Sequence, residues 1–190
     1  MPAIAPPSQP LSDGVVSMRL WRPDDAVAVT AACQDPEIPR WTRVPAPYAE
    51  ADAHEWLAGD AERWAQGTEA NFAVVSATSG ELPASVGLVK VVWDDLVGEI
   101  GYWVAAPSRC QGVARRAVTL FCAWAFRDVG LYRLEIVPDV ENAGSQAVAA
   151  SCGFTREGVL RSNILLKGRR RDTALFSLLR DDPAATALVR

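Results

Sequence analysis

Arg109-Cys110-Gln111-Gly112-Val113-Ala114 stands between an apolar, strand-like run and a long helical pattern. A strand, a short glycine-bearing turn and a helix N-terminus in that order make a holder for a phosphate. The first turn of a helix carries unpaired N–H groups and about half a positive charge, so an anion needs little else to bind there. Gly112 lets a ligand approach where a Cβ would intrude, and small Ala114 keeps the first helical turn open. An ordinary strand-to-helix connection that happens to hold a glycine would read the same way, so the rest of the chain has to decide.

Downstream of this turn, Val113, Ala117, Leu120, Phe121 and Trp124 recur with the spacing of a helix that buries one face, closing near Gly130. Leu131 to Val137 reads as a strand, Ala143 to Ser151 as a helix ending at Gly153, and Phe154 to Leu166 with Asp172 to Leu179 as a hairpin around Lys167-Gly168. Upstream, Val15 to Leu20 reads as a first strand, and Asp24 and Asp25 open a helix over Ala26 to Cys33. Asp35 to Pro47, with three prolines around Trp41, reads as a loop. A second helix is expected over Ala49 to Gln66, stopped by Gly67, followed by strands at Asn71 to Ala77, Ala84 to Trp93 and Glu99 to Val104. The expected fold class is α+β: one domain around a mixed, mostly antiparallel sheet of about seven strands, with helices on both faces.

The 190 residues suffice for a single full core. The expected layout is a disordered tail over 1–12, with several prolines and no basic stretch, a domain over 13–182 and a short tail over 183–190. No apolar run is long enough to cross a bilayer, so no membrane association is expected. A formal net charge of −4 argues against nucleic acid as a partner. The four cysteines, Cys33, Cys110, Cys122 and Cys152, lie far apart without ligand spacing. Reduced thiols, no metal and a cytoplasmic location are expected.

Four blocks in this order carry a family resemblance. They are Gly98-Glu99-Ile100-Gly101-Tyr102-Trp103-Val104; Arg109 to Ala114; Glu141-Asn142-Ala143-Gly144-Ser145 followed by Cys152-Gly153-Phe154; and Asp172 to Leu179. Together they resemble the GNAT acyl-CoA N-acetyltransferases, and within them the RimJ/RimL-like branch, over about Val15 to Asp181. The resemblance implies acetyl-CoA as co-substrate, bound where the central strand and the Leu131–Val137 strand splay apart. It implies that the pantetheine arm pairs with the backbone of Trp103 and Val104 and hydrogen-bonds Asn142. The pyrophosphate would lie on the turn formed by Arg109, Gln111, Gly112, Val113 and Ala114. The same branch allows a homodimer.

Catalytic residues follow from residue chemistry and the resemblance together. In this branch the serine matching Ser145 donates to the departing CoA sulfur, where negative charge grows in the transition state. Many relatives use a tyrosine one turn before the Gly-Phe pair, a place held here by Ala149. Asn142 can also be a simple helix cap. Glu99 is the general-base candidate, sharing a strand face with Gly101 and Trp103 and opposite Ile100 and Tyr102. A solvated carboxylate at the strand entrance is the bland alternative. Arg115 and Arg116 sit where cations oppose the helix dipole, a mismatch that a bound phosphate would offset. His54 reads as a surface or packing residue, Arg169-Arg170-Arg171 as a solvated tip or an attractor of acidic acceptors, and Trp41 as a candidate for touching substrate.

The reacting amine adds a constraint. A peptide α-amine with a pKa of about 7.7–8.0 is roughly one-third neutral near pH 7.5, whereas a lysine amine at about 10.4 is neutral in about one part per thousand. One base and no catalytic histidine suit the easier amine. The favoured acceptor is therefore the N-terminal α-amine of a protein such as a ribosomal protein, acetylated by direct attack without an acetyl-enzyme. A small amine or antibiotic is the second reading, and a catalytically silent acyl-CoA-binding module the third.

Overall fold

The computed structural model describes residues 1–188. The first half of the chain runs β1 (Leu11–Ser12), β2 (Val16–Arg19), α1 (Ala26–Cys33), α2 (Glu37–Trp41), α3 (Glu50–Ala58), α4 (Asp60–Gln66), β3 (Ala70–Ser76), β4 (Ala84–Val92) and β5 (Val97–Val104). The second half runs α5 (Val113–Trp124), β6 (Arg133–Ile136), α6 (Ala143–Ser151), β7 (Thr155–Leu166), β8 (Arg169–Leu179) and α7 (Pro183–Leu188). The strands form one sheet in the order β1-β2-β3-β4-β5-β6-β8-β7. The β5–β6 pair is parallel, and the other neighbours are antiparallel. The short β1 makes eight strands where about seven were expected.

Apolar side chains divide between the two faces of this sheet. On one face Trp64 of α4, Phe72 of β3 and Phe121 and Trp124 of α5 pack with ring centroids 5.0 to 6.0 Å apart, joined by Ala149 of α6 and Ala185 of α7. Edge-on contacts between such rings add to the area that they bury. On the other face Val29 of α1, Ile38 of α2 and Ala53 of α3 form a smaller cluster, against which Trp103 of β5 packs. Ile100 is buried in the first cluster and Tyr102 packs against it. The alternation read from β5 is therefore the observed one. Among the described residues no helix is long and apolar enough to cross a membrane.

Four details differ from the sequence reading. The Asp35–Pro47 stretch holds helix α2, despite Pro39. That proline lies in the first turn, where its missing N–H would have had no intrahelical acceptor. The helix expected over Ala49 to Gln66 is two helices divided at Gly59. Arg63 reaches back across that glycine to donate to the Trp56 carbonyl at 2.6 Å, and a Cβ on Gly59 would stand 2.6 Å from the Arg63 Nη1. Ile4, in the stretch read as an N-terminal tail, is buried and donates its N–H to the Trp64 carbonyl at 3.0 Å. Finally, Pro183–Leu188, read as a tail, is the helix α7 with Ala185 buried.

The hairpin of β7 and β8 turns at Lys167 and Gly168, whose φ values are 49° and 76°. Two consecutive left-handed residues give the reversal that matches the natural twist of paired strands. The Lys167 Nζ donates to the Val44 carbonyl at 2.7 Å, tying the hairpin tip to the loop after α2.

Candidate active site

The cleft begins where β5 and β6 part. Their register runs Val97↔Arg133, Gly98↔Leu134 and Glu99↔Glu135, and stops there. β5 continues to Val104 paired with β4 alone, so its other edge from Ile100 onward is free backbone. A bulge in β4 lies beside this point, between Leu88 and Lys90 opposite Ile100 and Glu99. Bulges bend a strand and increase its twist. This one sits where the sheet opens.

The glycine turn follows the free end of β5. Gly112 is the N-cap of α5, with φ 78°, and a Cβ built there would meet nothing within 4 Å. The N–H groups of Gln111, Gly112, Val113 and Ala114 make no well-formed hydrogen bond to a described residue. Free amides, an open approach and the positive end of α5 fit a diphosphate. Arg116 pairs with Asp13 at 2.7 Å, whereas exposed Arg115 makes no ion pair among the described residues. Of the two cations in this turn, only Arg115 remains available to an anion.

Arg109 is held differently from the expectation. Its Nε donates to the Val104 carbonyl at 3.1 Å and its guanidinium pairs with Asp35, just before α2. The side chain fastens the end of β5 to the other face of the sheet. Gln111 likewise turns its amide onto the Pro107 carbonyl at 2.7 Å. What these two residues offer the cleft is backbone.

Helix α6 supplies the opposite wall. The Asn142 side chain accepts the Ser145 N–H at 3.0 Å, as a helix cap does. The Ser145 hydroxyl lies 2.8 Å from the Tyr102 hydroxyl on β5. Burial, more than any other influence, pushes the Tyr102 phenol up to about 12. Ala149 holds the place where many relatives have a tyrosine; in the structure Tyr102 brings a phenol to Ser145 from a different element. The only signal for it was its place on the β5 face opposite Glu99.

Glu99 lies on the other face of β5, beside Glu135 in the parallel register. Burial raises its pKa, Glu135 adds to the rise, and Lys90 and Arg43 oppose it. Glu135 is itself paired with Arg133 at 2.6 Å. A carboxyl with a raised folded pKa costs stability once ionised, above that folded pKa, and costs nothing below the unfolded value. Glu99→Gln is therefore expected to raise the melting midpoint at pH 7 by about 1–3 °C, the shift that roughly 0.5–1 kcal/mol produces in a chain of this size. Near pH 4 the two proteins should melt together, and thermal scans at the two pH values check this.

Trp41 ends α2, its indole N–H donating to Glu37 at 3.0 Å and the Arg40 guanidinium lying 4.5 Å from its ring centroid. His54 is exposed on α3 and pairs with Glu50 at 3.4 Å, which is the surface reading. Arg171 pairs with Asp139 at 3.3 Å, while Arg169 and Arg170 are exposed at the hairpin tip. Asp172 accepts the Ser162 N–H at 2.7 Å and so shapes the hairpin. Among the described residues no group of three or more His, Cys, Asp or Glu is placed to hold a metal.

Comparison with known proteins agrees with this geometry. An acetyltransferase (GNAT) domain model matches residues 16–155. The uncharacterized N-acetyltransferase p20 of Bacillus licheniformis is 25% identical over 170 residues, covering 89% of this chain and 95% of that protein. The structure of Mycobacterium smegmatis RimJ in complex with CoA-disulfide superposes with a TM-score of 0.81 at 26% identity, covering 95% of this chain and 92% of that one. A structure from Vibrio cholerae, described as a candidate ribosomal-protein-serine acetyltransferase, superposes with a TM-score of 0.80 at 25% identity, over 91% of this chain and 98% of that one. The split sheet, the open helix N-terminus and the family match over most of its length place this chain in the RimJ/RimL-like branch of the GNAT family, as an acetyl-CoA-dependent N-acetyltransferase.

Proposed function

We propose that the enzyme acetylates the N-terminal α-amine of a protein, a ribosomal protein being the favoured case, by direct attack. The observation that carries this reading is the place of Glu99, the last β5 residue paired with β6 before the strand edge opens, where burial raises its pKa. A single carboxylate base suits an amine that is already partly neutral near pH 7.5, and would leave a lysine amine, neutral in about one part per thousand, at a disadvantage of roughly a few hundredfold. The Vibrio cholerae neighbour, described as acting on a ribosomal protein, supports the same acceptor class.

Acetyl-CoA supplies a thioester carbonyl for attack and a sulfur that leaves with the electron pair of the C–S bond. Glu99 takes the proton released by the attacking amine, directly or through one water. Ser145, on the other side of β5, offers its O–H to the sulfur as charge gathers there. Base and donor on opposite faces of one strand suit a reaction in which the nucleophile enters on one side and the leaving group departs on the other. The free amides of Gln111 to Ala114 hold the diphosphate, and the edge of β5 at Trp103 and Val104 holds the pantetheine arm. The reading includes a cytoplasmic location, supported by the free state of all four cysteines.

Thiol release from acetyl-CoA tests the acceptor. Peptides with a free N-terminal serine or alanine should give steady turnover, while the same peptides N-acetylated and carrying an internal lysine should not. Turnover confined to aminoglycosides or free amino acids would overturn the proposal. Glu99→Gln is expected to slow the preferred peptide about tenfold at pH 7, a modest loss for a base because the α-amine is partly neutral. The part of the acid limb of its pH–rate profile that rises through the raised pKa of Glu99 should disappear, leaving the limb set by ionisation of the α-amine itself.

A further inference from the structure

One half-buried hydroxyl at the cleft has no part in the reaction described so far. The Tyr102 Oη lies 2.8 Å from the Ser145 Oγ and 3.3 Å from the Ser145 carbonyl oxygen. Among the described residues it is the hydrogen-bond partner of that serine hydroxyl. We propose that Tyr102 is a positioning residue for the reaction: it donates its O–H into the Ser145 Oγ, so that the serine proton points to the sulfur of the leaving CoA. The proposal rests on the reading of Ser145 as the donor to that sulfur.

The two ways of placing the hydrogens are not equivalent. A hydroxyl has one proton to give and two lone pairs to accept with. If Ser145 donated to Tyr102, the phenol proton would fall to the more distant Ser145 carbonyl, and the serine would have nothing left for a ligand. If Tyr102 donates at the shorter distance, the serine proton is free for the cleft. Negative charge on a nearby sulfur favours the second arrangement, because each hydrogen bond in a chain polarises the next. A phenol that burial holds neutral over the physiological range always has the proton that this role requires.

Local chemistry points the same way. A serine in the first turn of a helix readily turns its hydroxyl back onto nearby backbone. Here the Ser145 N–H is already taken by Asn142, and the hydroxyl faces β5, the strand whose free edge forms the other wall of the cleft. Residues 102 and 145 thus join the two walls of the cleft. In the step itself the C–S bond breaks and its electron pair stays on sulfur. Ser145 and Tyr102 both keep their protons, sharing them as hydrogen bonds, and the released thiolate takes up, through solvent, the proton that Glu99 accepted from the amine and gives back.

Tyr102→Phe removes the donor and keeps the ring. With a peptide bearing a free N-terminal serine as acceptor, kcat should fall about tenfold, and KM for acetyl-CoA should stay within about twofold. In a Ser145→Ala background the same change should have an effect below about twofold, since its action passes through that hydroxyl. A second readout needs no acceptor. The thiol of bound CoA, titrated by thiolate absorbance in the binary complex, should have a pKa below that of free CoA, and either substitution should move it back up. If Ser145→Ala slows the enzyme and Tyr102→Phe does not, the role given to Tyr102 is wrong and that of Ser145 stands. An equal loss from Tyr102→Phe with and without Ser145 would make the tyrosine a structural strut and overturn the proposal. If Ser145→Ala changes neither rate nor thiol pKa, the underlying reading of Ser145 falls, and the proposal with it.

Discussion

Ser145→Ala is expected to lower kcat by about 10²–10³-fold, the cost of removing one preorganised donor from a site of developing negative charge. KM for acetyl-CoA should change little, because the hydrogen bond gains its strength only as the C–S bond breaks. The fold should tolerate the change. The Ser145 backbone N–H, which Asn142 caps, is untouched, and the Tyr102 hydroxyl keeps the Ser145 carbonyl at 3.3 Å as an alternative acceptor. Single-turnover measurements with the preferred peptide separate the chemical step from product release. An unchanged single-turnover rate would remove Ser145 from the mechanism.

Gly112→Val is expected to weaken CoA binding by about 100-fold or more, measured by calorimetry with CoA alone. The isopropyl group would enter the open space over the α5 N-terminus, where a Cβ meets nothing within 4 Å and where the proposed diphosphate would approach the amides. The left-handed φ of 78° costs a β-carbon residue about 1–2 kcal/mol, and more for a β-branched one; that strain is common to the free and bound protein and should appear as a loss of stability, not of affinity. Gly112→Ala, which introduces a single methyl, should fall between the two. Retention of wild-type affinity by Gly112→Val would show that the diphosphate binds elsewhere.

Much of the fold was legible in the chain. The helices Ala26–Cys33 and Ala143–Ser151 have the boundaries read from their flanking residues. Helix α5 begins at Val113 as its glycine turn requires and ends in a π-helical turn that Gly130 closes with φ 81°. These features are local, since a cap, a glycine or a periodic apolar face acts within a few residues. Two of the errors arose where a side-chain contact or packing against the core decided. Gly59 divides a continuous helical pattern because Arg63 folds back over it, and α7 exists because Ala185 has a core to enter.

The candidate site divides along the same line. Sequence by itself determined the helix start at Val113, the turn glycine, the cap at Asn142 and the alternation that separates Glu99 from Tyr102. It did so because these depend on backbone conformation and the period of a strand. Only the tertiary structure decided that Arg109 would be tied to Val104 and Asp35, that Glu99 would lie beside Glu135 with a raised pKa, and that Tyr102 would meet Ser145. Each of these joins residues from separate elements. Hydrogen bonds and burial act over a few ångströms of space, whatever the distance along the chain.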